Sequence, residues 1–135
     1  MSEFPTSEVS LGPLLVVADV SASRDFYRDI IGARVIREFE GSFCQLELAG
    51  SLLFLVAGGG PTDDKPDITF APPGDVHTVS SELTFRVPDC RAAYDALTSR
   101  GAQFLTPPMA QDWGGEIRCF LRDPDGHLLE FSQLL

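Results

Sequence analysis

The chain carries one local plan twice, and that repetition restricts its fold more than any other feature. Asp123-Pro124-Asp125-Gly126 is a tight Pro/Gly turn that feeds an apolar run, Leu128 to Phe131, carrying one acidic residue, Glu130. A weaker copy, Ala49-Gly50-Ser51 followed by Leu52 to Leu55, lies in the first half. Ahead of that copy, Leu14 to Val17 reads as a short strand, and Asp19 or Ser21 stands where a helix N-cap belongs. Ala22, Phe26, Tyr27 and Ile30 then fall on one helical face, and Gly32 supplies the stop. Strand-like runs follow at Ala33 to Phe39, Phe43 to Leu48 and Leu52 to Val56.

The second half keeps the order. Leu83 to Val87 is a strand, Asp89 caps a helix with Ala93, Ala96 and Leu97 on one face, and Gly101 ends it. Further strands are expected near Ala102 to Leu105, Glu116 to Leu121 and Leu128 to Ser132. Asp19 and Asp89 stand 70 positions apart and Gly32 and Gly101 stand 69 apart, whereas Gly50 and Gly126 differ by 76. The second copy therefore holds an insertion, placed around Thr106-Pro107-Pro108. The reading is a single domain with repeat one at about 11–57, a Gly/Pro-rich linker at 58–81 and repeat two at about 82–135. Ile68-Thr69-Phe70 is a candidate short strand inside the linker.

Each repeat, strand–helix–strand–strand–strand, calls for a mixed sheet with a helix on one face. The helix side must be apolar, and alternation assigns Leu83, Phe85 and Val87 to it. Glu82, Thr84 and Arg86 then point to the opposite face, which reads as a lined groove. Cys44 and Cys119 lie in strand-like runs as small buried hydrophobes; with Cys90 they form no Cys-x-x-Cys pair and no disulfide framework.

Bulk properties exclude several functions. A net charge of −10 opposes nucleic-acid binding. No apolar run nears the roughly 20 residues that cross a bilayer. Residues 1–8 hold neither a basic nor an apolar signal region, so the cytoplasm is the expected location. Lys65 is the sole lysine, which leaves little room for Schiff-base chemistry. No nucleophile elbow, phosphate loop or dinucleotide fingerprint is present.

With these motifs in order, the chain resembles the vicinal oxygen chelate superfamily, which includes glyoxalase I, extradiol dioxygenases and bleomycin-resistance-type binding proteins. The residues that carry the likeness are Val17-Ala18-Asp19-Val20, Phe26-Tyr27 and Gly32 in the first copy. In the second they are Phe85 to Asp89, Gly101 and Asp123-Pro124-Asp125-Gly126-His127 with Glu130-Phe131. The resemblance implies an α+β fold in which two βαβββ repeats form a cupped mixed sheet with helices on its outer face. It also implies four metal-ligand positions, two per repeat, which fall at Gly12, Phe54, Glu82 and Glu130.

Only Glu82 and Glu130 offer donors. Two carboxylates are a thin set for a divalent ion, so the expectation is no cofactor, with a divalent metal as the alternative and His77 as its third ligand. His127 belongs to the turn and reads as a solvated residue. Without a metal, two facing glutamates repel and raise a pKa, and a cationic or amine-bearing ligand relieves this; the competing reading pairs Glu130 with Arg118 or Arg86 across the sheet. Trp113, backed by Gly114-Gly115, is the candidate for stacking on a planar ligand, joined by Phe54 and Phe120, and Arg118 is counted with Glu82 and Glu130 among the ligand-binding candidates; Phe43 and Phe104 are assigned to the core. The functional expectation is a metal-free, homodimeric protein that sequesters a small amphipathic or cationic molecule. The alternative is a metal-dependent lyase, isomerase or dioxygenase.

Overall fold

The computed structural model describes residues 3–135. Strand β1 (Leu14–Val17) leads into helix α1 (Val20–Asp25), which widens into a π-helical segment at Phe26–Ile31. Strands β2 (Arg34–Phe39), β3 (Phe43–Leu48) and β4 (Ser51–Ala57) complete the first repeat. The second contains β5 (Glu82–Arg86), α2 (Cys90–Ser99), β6 (Met109–Ala110), β7 (Glu116–Arg122) and β8 (Leu128–Leu134). Each repeat builds a four-stranded mixed sheet, ordered β1-β4-β3-β2 and β5-β8-β7-β6, with the first strand parallel to the fourth.

Both helices start where the sequence places them. Asp19 accepts a hydrogen bond from the Ala22 N–H and Asp89 one from the Ala92 N–H, each at 3.0 Å. The helix side of the sheets follows strand alternation. Cys44, Leu46, Leu53 and Leu55 are buried in the first, and Cys119, Leu121, Leu129 and Phe131 in the second. These side chains share one core with Tyr27, Ile31 and Leu97 from the helices.

Three expectations need correction. The strand anticipated at Ala102 to Leu105 does not form: Phe104 makes an isolated bridge to Leu121, and β6 lies at Met109–Ala110, beyond the Pro107-Pro108 pair. Pro108 has no N–H to give a ladder, so pairing begins after it. Ile68 to Phe70 is not a strand either; Phe70 alone bridges Gly59. Finally, His127 is not simply solvated, because its Nε2 lies 2.8 Å from the Val16 carbonyl oxygen.

That contact belongs to a clasp between the repeats. Buried Asp123 accepts the Tyr27 hydroxyl at 2.8 Å and the backbone N–H groups of Asp125 and His127. Asp125 accepts the Ala18 N–H and the Ser23 hydroxyl. Burial raises the Asp123 pKa, opposed by these donors, and drives the Tyr27 pKa up as well. Gly126 completes the turn at φ 90°, with Val76 so close that a Cβ would meet its Cγ1 at 2.3 Å. Only glycine meets both conditions.

Candidate functional site

The chemistry collects on the face of the second sheet turned away from α2. Because β8 buries Leu129 and Phe131 against the core, its alternate residues Leu128, Glu130 and Ser132 point the other way. Strand register then sets their neighbours: Thr84 and Phe120 flank Glu130, Arg86 and Arg118 flank Ser132, and Glu82 lies beside Leu128. The result is a short grid of polar side chains on a rigid sheet.

Glu82 and Glu130 come together in it. Glu130 is 8% exposed and lies close enough to Glu82 for the second carboxyl to disfavour its ionisation. Burial and the neighbouring Glu82 and Glu116 carboxyl groups push the Glu130 pKa up to about 7, with the Arg118 charge opposing them. Glu82 is also held by the Thr84 hydroxyl at 2.9 Å. The arginines do not rescue the pair. Arg86 and Arg118 reach buried Glu116, at 3.6 and 3.8 Å, and Arg118 lies over the Phe120 ring, 5.3 Å from its centroid. The expectation that one of them pairs with Glu130 is therefore corrected: Glu116 has first claim on both.

The remaining candidates are dispersed. Phe54 stands on the open face of the first sheet in a row with Phe43 and Phe39, at centroid distances of 6.2 and 5.8 Å. Phe43 thus leaves the core to which its strand pattern assigned it, since Cys44 and Leu46 take the helix side. Trp113 is 66% exposed in the loop before β7, its ring folded over Gly115. His77 is exposed in the linker, its backbone N–H bonded to Asp75 at 2.9 Å.

A groove of about 560 Å³ joins the two repeats. Pro13, Leu48 and Leu52 form one wall, and Glu82, Thr84 and Arg86 form the other. The cleft is apolar on one side, and on the other Glu82, Thr84 and Arg86 alternate with Leu83, Phe85 and Val87.

The donor set does not suit a divalent ion. Among the described residues, no three His, Cys, Asp or Glu side chains converge as ligands. A Cβ at position 12 would sit 2.6 Å from the Leu52 carbonyl oxygen, so this backbone admits glycine there and no ligating side chain. Phe54 offers no lone pair, which leaves Glu82 and Glu130 as the only donors at the four positions.

Sequence reasoning overlooked Glu116 and Ser132. Ser132 is fully buried and its hydroxyl oxygen has no partner. Both residues lie on the same face of the sheet as Glu130, which strand register along β7 and β8 reveals.

Comparison with known proteins agrees with this architecture. The family model described as "Glyoxalase/Bleomycin resistance protein/Dioxygenase superfamily" matches residues 10–131. A lactoylglutathione lyase of Haemophilus influenzae is 27% identical over 126 residues, spanning 91% of this chain and 90% of that protein. Among solved structures, a glyoxalase/bleomycin resistance protein/dioxygenase from Nocardioides superposes with a TM-score of 0.75 at 21% identity, covering 96% of this chain and 85% of the other. TioX from Micromonospora sp. ML1 does so at 0.70 and 22% identity, covering 94% and 99%.

Proposed function

The chain belongs to the glyoxalase/bleomycin resistance protein/dioxygenase superfamily, and we propose that within it this protein is a metal-free binding protein that sequesters a small amphipathic or cationic molecule. The observation that carries this reading is the carboxyl pair itself. Neither Glu82 nor Glu130 forms an ion pair among the described residues, while Arg86 and Arg118 lie 3.6 and 3.8 Å from Glu116. A positive group is what that arrangement lacks, and the apolar wall of Pro13, Leu48 and Leu52 gives the rest of such a molecule a place to lie.

The same reading takes the protein as a cytoplasmic homodimer. No helix among the described residues is long and apolar enough to cross a membrane. The first strands, β1 and β5, are both edge strands with a free hydrogen-bonding side. Exposed Leu11 and Leu14 lie beside the first of these edges. Free edges of this kind invite pairing with another chain, and a second copy would cover them.

One observation favours a second reading, a metal-dependent lyase, isomerase or dioxygenase: the similarity to a lactoylglutathione lyase. It needs His77, or a group not yet identified, to join Glu82 and Glu130. The test is calorimetric titration of protein purified without added metal against a panel of amphipathic organic cations, with chelator treatment in parallel. Binding that survives the chelator supports sequestration. Absence of binding together with a chelator-sensitive melting temperature supports the enzyme.

A further inference from the structure

Away from the cleft, on the helix side of the second sheet, two thiols meet. Cys90 is the first residue of α2 and Cys119 stands in the middle of β7, and their Sγ atoms lie 3.6 Å apart. Both are free, and both are buried, at 0% and 1% exposure. Strand alternation turns Cys119 toward the helix while Arg118 and Phe120 beside it take the opposite face. The Asp89 cap fixes where α2 begins, and the Gln133 side-chain oxygen accepts the Cys90 N–H at 2.9 Å, tethering that first turn to β8. The Cys90 sulfur also lies 3.4 Å from the Phe131 carbonyl oxygen. Three elements therefore hold together two sulfurs that stand 29 positions apart in the chain. Cys44, equally buried in the first sheet, makes no sulfur–sulfur contact among the described residues.

We propose that Cys90 and Cys119 form a dithiol site that a hydroperoxide converts to a disulfide within the folded chain, clamping the start of α2 to β7. The site is separate from the cleft, and the proposal does not depend on what the cleft binds. Bonded sulfurs lie about 2.0 Å apart, so the pair must close by roughly 1.5 Å, which rotation of the two short side chains supplies.

The surroundings set the order of events. Burial pushes both thiols up, Cys119 to about 12, but the Cys119 contact and the Arg91 charge hold Cys90 back. Cys90 is also at a helix N-terminus, which favours its thiolate. It is therefore the attacking sulfur and Cys119 the resolving one. Asp89, Arg91 and Ala92 around Cys90 are exposed, so this sulfur lies one layer below the surface at a helix end, where local opening costs least. The Cys90 thiolate attacks one peroxide oxygen and becomes a sulfenic acid, and the other oxygen leaves, takes up the thiol proton and departs as water. Cys119 then attacks the sulfenic sulfur; the S–S bond forms, and the hydroxyl leaves with the Cys119 proton as a second water. Two thiols lose two electrons and the peroxide gains them.

The test treats folded wild-type protein with hydrogen peroxide, removes the excess with catalase, and alkylates the remaining thiols in denaturant. Intact mass should fall by about 2 Da before alkylation. Of the three cysteines only Cys44 should then be alkylated, and peptide mapping should find Cys90 joined to Cys119. A dithiol reductant should restore all three thiols. The bridged protein should melt roughly 5–10 °C higher than the reduced one, because the clamp closes a long loop in the unfolded chain. Cys119→Ser should stop at a Cys90 sulfenic acid that dimedone traps, and Cys44→Ser should bridge as wild type does. Three free thiols after peroxide treatment, or a bridge that includes Cys44, overturns the proposal. So does a Cys90–Cys119 bridge that forms only in denaturant, or one that lowers the melting temperature.

Discussion

At the scale of single residues, Glu130 stores a cost that pH reveals. Its pKa rises from the ordinary carboxyl value to about 7 on folding, so between roughly pH 4.5 and 7 the folded chain holds a proton that the unfolded chain has lost. Its contribution to stability is full below about pH 4.5 and falls as pH rises through 7. Chemical denaturation at pH 5 and pH 8 should show wild type losing about 1–3 kcal/mol from this residue. The loss should be absent in Glu130→Gln, which keeps the shape and removes the charge. Tyr27→Phe makes the opposite kind of change, stripping buried Asp123 of its hydroxyl donor. It should cost about 1–3 kcal/mol by thermal melting, because an acceptor is left under-satisfied in the core. Glu130 was legible in the sequence because it follows a recognisable turn. Glu116 and Ser132 were not, because nothing local distinguishes them from other strand residues; only strand register shows that they share its face.

Elements were legible where capping and periodicity agree. Asp19 and Asp89 cap their helices as read, and Asp89→Ala should cost about 1 kcal/mol. The fourth-strand turn is more demanding. Gly126→Ala places a methyl group against Val76 and strains a φ of 90°, so a loss of roughly 1–3 kcal/mol is expected. Unfolding of the two variants in denaturant tests both values on one scale. Two features escaped the sequence for physical reasons. Phe26, Tyr27 and Ile30 lie in the π-helical segment that follows α1, and their apolar spacing in the sequence marks a helix without distinguishing its winding. The β6 strand went to Met109–Ala110 because backbone donors, not apolar pattern, decide which residues near two prolines pair with β7.

For the whole molecule, the repeat fixed the architecture. Equivalent caps and turns 69 to 76 positions apart imply two copies of one unit, and two four-stranded sheets of matching order are found. The site followed less directly. The motifs locate Glu82 and Glu130, but the pairing of Arg86 and Arg118 with Glu116 and the closing of the space at Gly12 by Leu52 emerge only from the fold. The free edges of β1 and β5 predict that light scattering in solution will give twice the 14.7 kDa chain mass. Substituting Leu14 with Lys should then shift the protein toward the monomer. The central claim is that the cleft receives an organic molecule and not a metal ion. Metal analysis of freshly purified protein, dialysed without chelator, tests it most directly. The expected result is well below one equivalent of any divalent ion per chain, unchanged in Glu82→Gln and Glu130→Gln. One tightly held equivalent that disappears in either variant would contradict it.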